Sequence, residues 1–199
     1  MKKHTAVFLD RDGTINEEVG YLDKIGKLKV FANTAEAIKT INESGMKAVV
    51  ITNQSGVARG YFSEEFVKKV HARIQKILKA KGAFIDAFYY CPHHPEGTGT
   101  YQQVCACRKP EAGLLMTAAQ DMDIDLTRSY VVGDMIKDIQ AASKVGAKGI
   151  LVKTGYGLDI TQKDLRSGSV ETCHPYLIAE DILDAIKWIM NDRMRNKPR

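Results

Sequence analysis

Short apolar runs and amphipathic helical stretches alternate along almost the whole chain, and that alternation limits the fold more than any other feature. Residues 5–10 are apolar and end in Asp, residues 47–52 form a short β-branched run, and further strands are expected near 84–90, 129–133 and 148–153. Helices fall between them. One over 33–44 places Ala37, Ile38 and Ile41 on one face and stops at Gly45. The next is capped by Ser63, has Glu64 and Glu65 in its first turn, turns Phe66, Val67, Val70, Ile74, Ile77 and Leu78 inward, and ends at Gly82. Others are expected over 112–122 and 136–145, and a last one from about Glu180 carries Ile182, Leu183, Ile186, Trp188 and Ile189. Such alternation predicts an α/β fold with a parallel sheet, right-handed crossovers and helices on both faces. With 199 residues, 44% of them hydrophobic, the chain is the size of one domain with a full core. That domain is expected over 1–190, followed by a charged, fraying tail over 191–199.

The first strand ends in Asp10-Arg11-Asp12-Gly13-Thr14. If the chain is still extended there, Asp10 and Asp12 point the same way, because strand side chains alternate with period two. Two converging carboxylates repel unless a cation neutralises them, and hard divalent ions such as Mg2+ take oxygen ligands. Gly13 and Thr14 then turn the backbone and leave amides free to face an anion. Taken alone, the motif is equally an ordinary Asp-Gly turn.

Other strand ends favour the metal site. Thr52 closes the second strand, and Gly133-Asp134 follows the run at 129–133, with Asp138 one helical turn further on. Ligands of an open parallel sheet bind outside the carboxyl ends of its strands, so Asp10, Thr52 and Asp134 should meet there. Lys109 precedes the helix at 112 and could bring a positive charge to a phosphate.

A second constellation lies in the loop after the third strand. Cys91-Pro92-His93, then Cys105-Ala106-Cys107, offers three thiols and an imidazole, the donor set of a closed structural zinc site. The competing explanation is scattered thiols beside a surface histidine, but four soft ligands in a loop of little apolar content favour Zn2+. His93 is preferred to the adjacent His94 because Cys-x-His pairs symmetrically with Cys-x-Cys. Cys173 is expected to be structural.

In order and placement, Asp10-x-Asp12-Gly13-Thr14, Thr52, Lys109 and Gly133-Asp134 with Asp138 resemble the four motifs of the haloacid dehalogenase (HAD) superfamily of phosphotransferases, over residues 5 to about 155. The resemblance implies a three-layer Rossmann-like domain and assigns Asp10 as nucleophile and Asp12 as the acid that protonates the leaving oxygen and later activates water. It gives Thr52 and Lys109 the phosphoryl oxygens, and Asp10, Asp134 and the Asp12 backbone carbonyl to Mg2+, with Asp138 behind them. Cys-Pro-His-His-Pro-Glu-Gly at 91–97 and Cys-Ala-Cys-Arg-Lys-Pro at 105–110 further resemble the branch that removes the C7 phosphate from a heptose 1,7-bisphosphate in lipopolysaccharide precursor synthesis, whose near relatives hydrolyse histidinol phosphate. This branch implies no large cap domain. Substrate closure then falls to Glu18, Val19, Gly20 and Tyr21, to Thr52, Asn53, Gln54 and Ser55, and to the zinc loop with Arg108 and Lys109. Arg108 is expected to grip the remote phosphate, as a planar fork can; Arg59 is a further candidate. Relatives often place a lysine directly after Gly-Asp, whereas here Met135 stands there and the lysine is Lys137.

Rival functions are weaker. A histidinol phosphate site would need an acidic pocket for the amine and no second phosphate grip. A nucleic-acid or protein-binding zinc module leaves Asp10, Asp12 and Asp134 unexplained. The net charge of +5 is spread among 24 acidic residues without a basic-aromatic stripe, which argues against nucleic acid. The run at Ala6–Leu9 is too short for a signal peptide or membrane span, so a cytoplasmic, monomeric enzyme acting on a small sugar bisphosphate is expected.

Overall fold

A computed structural model describes residues 3–159 and 174–195. Strands β1 (Ala6–Leu9), β2 (Lys47–Asn53), β3 (Ala87–Cys91), β4 (Tyr130–Gly133), β5 (Lys148–Val152) and β6 (Leu177–Ala179) form one sheet in the order β3-β2-β1-β4-β5-β6. Every pairing is parallel. Among the described residues five α-helices accompany them: α1 (Thr34–Glu43), α2 (Glu64–Lys79), α3 (Gly113–Asp121), α4 (Ile136–Lys144) and α5 (Ile182–Arg195).

Alternation along each strand divides the core in two. Val7, Leu9, Val50, Val132 and Ile150 face α1, α2 and α5, packing on Ile38, Ile74 and Ile186. Ala6, Phe8, Val49, Ile51 and Val131 face the opposite layer, where Leu115 and Ala118 of α3 and Ala142 of α4 cover them. The central strands are therefore apolar on both sides, as a buried parallel sheet requires. The result is the expected three-layer Rossmann-like arrangement. At the first cap, the Ser63 hydroxyl accepts the Phe66 amide hydrogen at 3.3 Å.

Two features differ from the sequence expectation. Strand β6 is additional; its three residues, just after Pro175, are too few to show a period, and pairing with β5 makes them a strand. Helix α5 runs to Arg195, past the expected domain end at 190. Tertiary contacts hold that extension: Asp192 accepts from the Tyr130 hydroxyl at 2.7 Å and from Lys148 at 2.6 Å, and Arg193 donates to the Ser44 carbonyl at 2.8 Å. Cys173 and residues 196–199 lie outside the described residues.

Strand order reverses at β1, whose neighbours are β2 and β4. The connections leaving β1 and β4 diverge there, and the gap between them is where a doubly wound sheet takes its ligand. Asp10 follows β1 and Asp134 follows β4, so both lie at that switch point. Among the described residues no inserted cap domain covers this edge; the chain above it consists of loops and single 3-10 turns.

Candidate active site

Asp10, Asp134 and Asp138 are buried, with carboxylate oxygens within 4.8 Å of one another. One cation stands among them. Lys109 Nζ lies 2.7 Å from Asp10 Oδ1 and 2.6 Å from Asp138 Oδ1, and it donates to the Ile51 carbonyl at 2.9 Å. The contacts with Asp10 and the Ile51 carbonyl are hydrogen bonds, and that with Asp138 is an ion pair. Burial alone would lower the lysine's pKa, but Asp10 and Asp138 outweigh it and hold the ammonium charged. Were all three carboxylates ionised, the one ammonium would leave two negative charges in excess. Burial, then the charges of Asp10 and Asp138, push Asp134 up to about 8, and burial raises Asp10 despite Lys109.

That cost, together with an unpartnered, buried Asp134 Oδ1, matches the donor set of a hard divalent cation. The cradle is tight as well. Gly13 has φ +82°, and a Cβ there would sit 2.1 Å from Asp134 Oδ2, so only glycine lets the first loop pass the carboxylate. Asp134 Oδ2 accepts the Tyr156 amide hydrogen at 2.9 Å. Asp138 accepts the Met135 amide hydrogen at 3.1 Å, which anchors the start of α4.

Asp12 has different surroundings. Its carboxylate accepts from Asn16 Nδ2 at 2.9 Å, from Arg11 at 2.7 and 3.2 Å, and from Gln54 Nε2 at 2.9 Å. Burial alone would raise its pKa, but Arg11 outweighs that and, with Asn16 and Gln54, holds it below the usual carboxylate range. Asp12 is thus ionised at rest, and an arriving phosphate dianion pushes it back toward holding a proton.

Around these acids lies a cavity of about 210 Å³ lined by Asp10, Asp12, Glu18, Gly20, Tyr21, Thr52, Asn53, Gln54, Ser55, Arg108, Lys109 and Asp134. Of the residues expected from sequence at the substrate, Val19 and the further candidate Arg59 are outside the lining. Arg59 is elsewhere, with Glu96 at 3.1 Å and the His94 ring at 3.3 Å. Both Met135 and Lys137 line the cavity, as do Arg11, Phe62 and Tyr156, which sequence reasoning missed. Nothing in a motif marks Tyr156; it arrives because the 3-10 turn Gly155–Asp159 follows β5 along the same sheet edge.

The loop after β3 gathers Cys91, His93, Cys105 and Cys107. Their neighbouring ligand atoms are 3.1 to 3.8 Å apart. A tetrahedral zinc with sulfur at about 2.3 Å sets ligand edges of about 3.7 Å, so the cluster has the size of that site. His94 turns away toward Arg59. Asn53 joins this loop to the sheet: its side chain accepts the Lys109 amide hydrogen and donates to the Lys109 carbonyl, both at 3.0 Å.

Known proteins are similar to this chain over most of its length. D-glycero-D-manno-heptose-1,7-bisphosphate 7-phosphatase of Thermosynechococcus vestitus is 42% identical over 189 residues, covering 92% of this chain and 94% of its own. The chain belongs to the heptose bisphosphate phosphatase family. The Escherichia coli K12 member is also 42% identical, over 77% of this chain and 82% of its own. Residues 106–185 match a family model described as "HAD-hyrolase-like". A solved D,D-heptose 1.7-bisphosphate phosphatase from B. bronchiseptica, complexed with magnesium and phosphate, superposes with a TM-score of 0.81 at 30% identity, covering 94% of this chain and 99% of that one. As a member of this family the protein is a HAD-like phosphoric monoester hydrolase. No helix among the described residues is long and apolar enough to cross a membrane.

Beneath the site, His71 of α2 stacks on Phe88 at 4.6 Å and 17°, with Tyr90 at its edge, Arg11 NH1 3.4 Å away and the Asp12 charge beyond. Burial, then Arg11, lowers its pKa from 6.5 to about 3. The folded state therefore refuses a proton that the unfolded chain accepts. Stability is complete above pH 6.5 and should fall between pH 6.5 and 4 by up to about 1.4 kcal/mol per pH unit from this residue. Urea midpoints against pH should be flatter over this window in His71→Gln; an equal slope in both proteins would contradict a neutral buried imidazole.

Proposed function

We propose that the protein hydrolyses the C7 phosphate of D-glycero-D-manno-heptose 1,7-bisphosphate, in the synthesis of heptose precursors of lipopolysaccharide, with Asp10 as nucleophile. One observation carries the chemistry: a buried carboxylate at the sheet's switch point, paired with Lys109 and adjoining an unpartnered Asp134 oxygen, inside a cavity that also holds Arg108. The substrate rests on the near full-length identity to heptose bisphosphate phosphatases. Histidinol phosphate is disfavoured, because it has no second phosphate for Arg108 to meet.

Asp10 attacks phosphorus and the bond from phosphorus to the C7 oxygen breaks. The departing electron pair goes to that oxygen, which takes a proton from Asp12. Water then attacks the phosphorus of the aspartyl phosphate, gives its proton to Asp12, and restores the Asp10 carboxylate as inorganic phosphate leaves. The Thr52 hydroxyl binds a phosphoryl oxygen. Lys109 sets the Asp10 carboxylate and places positive charge beside it. Asp10, Asp134 and the Asp12 carbonyl would hold Mg2+, which when bound offsets the repulsion between a carboxylate and a phosphate dianion. Cys91, His93, Cys105 and Cys107 would hold Zn2+ as a structural ion. Its place in the fold supports that role: Arg108 donates to the His93 carbonyl at 3.1 Å, so ordering the loop orders the arginine.

Phosphate release with Mg2+ should be faster from heptose 1,7-bisphosphate than from histidinol phosphate or fructose 1,6-bisphosphate. Faster turnover of histidinol phosphate would replace the substrate assignment. Asp10→Asn should abolish turnover while the fold and metal content stay as they were, and activity close to that of the unchanged protein would remove Asp10 as nucleophile. Zinc, measured by elemental analysis, should approach one ion per chain and drop in Cys107→Ser together with affinity for the bisphosphate; the same metal content in both proteins would end the zinc assignment.

A further inference from the structure

Arg11 lies between Asp10 and Asp12 in sequence and borders the cavity, yet it is among the largest fully buried side chains, 1% exposed. Buried guanidinium must be matched by acceptors, and here they are specific. NH2 donates to Asp12 Oδ2 at 2.7 Å and to Gln54 Oε1 at 2.9 Å, and NH1 meets His71 Nε2 at 3.4 Å. A guanidinium has only donors, so the contact with His71 makes Nε2 an acceptor and puts the imidazole proton on Nδ1.

Gln54 is oriented by the same constraint. Because Arg11 must donate, the glutamine atom facing it is the carbonyl oxygen, and the amide nitrogen faces the other way. That nitrogen lies 2.9 Å from Asp12 Oδ2 and 2.9 Å from Thr52 Oγ1, one hydrogen for each. Gln54 is 4% exposed, and both amide hydrogens and its carbonyl are already engaged within the protein. A sugar hydroxyl would have to displace one of these bonds. Gln54, expected from the sequence at the substrate and present in the cavity lining, is thus also placed to act on its protein neighbours.

We propose that Gln54, held in one orientation by Arg11, is a positioning residue that sets two reactive groups at once. By donating to Thr52 Oγ1, it leaves the threonine O–H free to donate into the cavity, toward a phosphoryl oxygen. By donating to Asp12 Oδ2, it fixes the carboxylate that serves the leaving oxygen. Arg11 acts one step further back, and His71 holds Arg11 from behind. The proposal rests on the roles given above to Thr52 and Asp12.

Leaving-group dependence separates this role from the alternatives. An alkyl alcohol needs a proton to depart, whereas p-nitrophenolate does not, and kcat/KM reports the steps up to its departure. The isosteric Gln54→Glu puts an acceptor where Asp12 and Thr52 need a donor. Its kcat/KM should fall about 100-fold for glycerol 2-phosphate and the heptose bisphosphate, but at least about 10-fold less for p-nitrophenyl phosphate. Gln54→Met, which lacks any donor but adds no charge, should show the same ordering with smaller losses, and it decides the matter if the charged variant does not fold. Equal losses on all three substrates in the folded variants would mean a purely structural residue. A rise in KM for the heptose bisphosphate alone, with kcat kept, would restore the sugar contact. Either result overturns the proposal, as does activity unchanged from that of the unsubstituted protein. Unsubstituted protein that hydrolyses no phosphomonoester would instead defeat the phosphatase reading; protein that hydrolyses glycerol 2-phosphate but not the heptose bisphosphate would defeat only the substrate.

Discussion

Lys109 holds the reactive edge of the protein together. Its ammonium is buried among Asp10, Asp138 and the Ile51 carbonyl, and so joins the end of β1, the start of α4 and the end of β2. Removing one partner of a buried ion pair typically costs about 3–5 kcal/mol, because the other charge is left without compensation. The lysine is still one ammonium against three carboxylates, and the excess of negative charge when all three are ionised is what suits the site to a divalent ion. Stability of the empty site and affinity for the cation are thus opposed in the same few atoms. The cluster can be this crowded because it lies where the strand order reverses and the two chain directions part.

The zinc-type loop is physically continuous with that edge. The Gln54 backbone N–H donates to the Cys91 carbonyl at 2.8 Å, the Ala58 backbone N–H to the Pro92 carbonyl at 3.2 Å, and Asn53 clasps the backbone of Lys109. Glu64, in the first turn of α2, accepts from Tyr90 of β3 and from Tyr101 of the loop, the latter at 2.7 Å. Two stretches far apart in sequence, 52–58 and 91–109, therefore form one surface. An ion closing the cysteine cluster has a direct route to the placement of Arg108 and Lys109. With no cap domain among the described residues, these loops and the turn carrying Tyr156 supply the walls of the cavity.

Much of the fold was legible in the sequence, since β-branched runs and helical spacing report local conformation and burial on both faces reports a parallel sheet. Strand β6 was not, because three residues carry no period and their partner is β5. The extent of α5 was missed for a similar reason: Asp192 and Arg193 read as tail charges until Tyr130, Lys148 and Ser44 are brought against them. In the site, Asp10, Thr52, Lys109 and Asp134 could be placed together because strand ends of a parallel sheet share an edge. Arg11 was passed over, as arginine beside two aspartates reads as a surface charge. Tyr156 had no signal at all.

What the sequence by itself determined is the identity and order of the candidate groups: two aspartates after the first strand, a threonine, a lysine and a third aspartate after later ones, and three cysteines with a histidine in one loop. These follow from residue type and spacing, which are local properties. Only the tertiary structure decided how each group is held. Asp10 and Asp12 are two residues apart, yet one is paired with a lysine from residue 109 and raised by burial, while the other is clamped by Arg11, Asn16 and Gln54 and lowered. Charge state and orientation depend on what surrounds a carboxylate in space, and those neighbours come from distant parts of the chain.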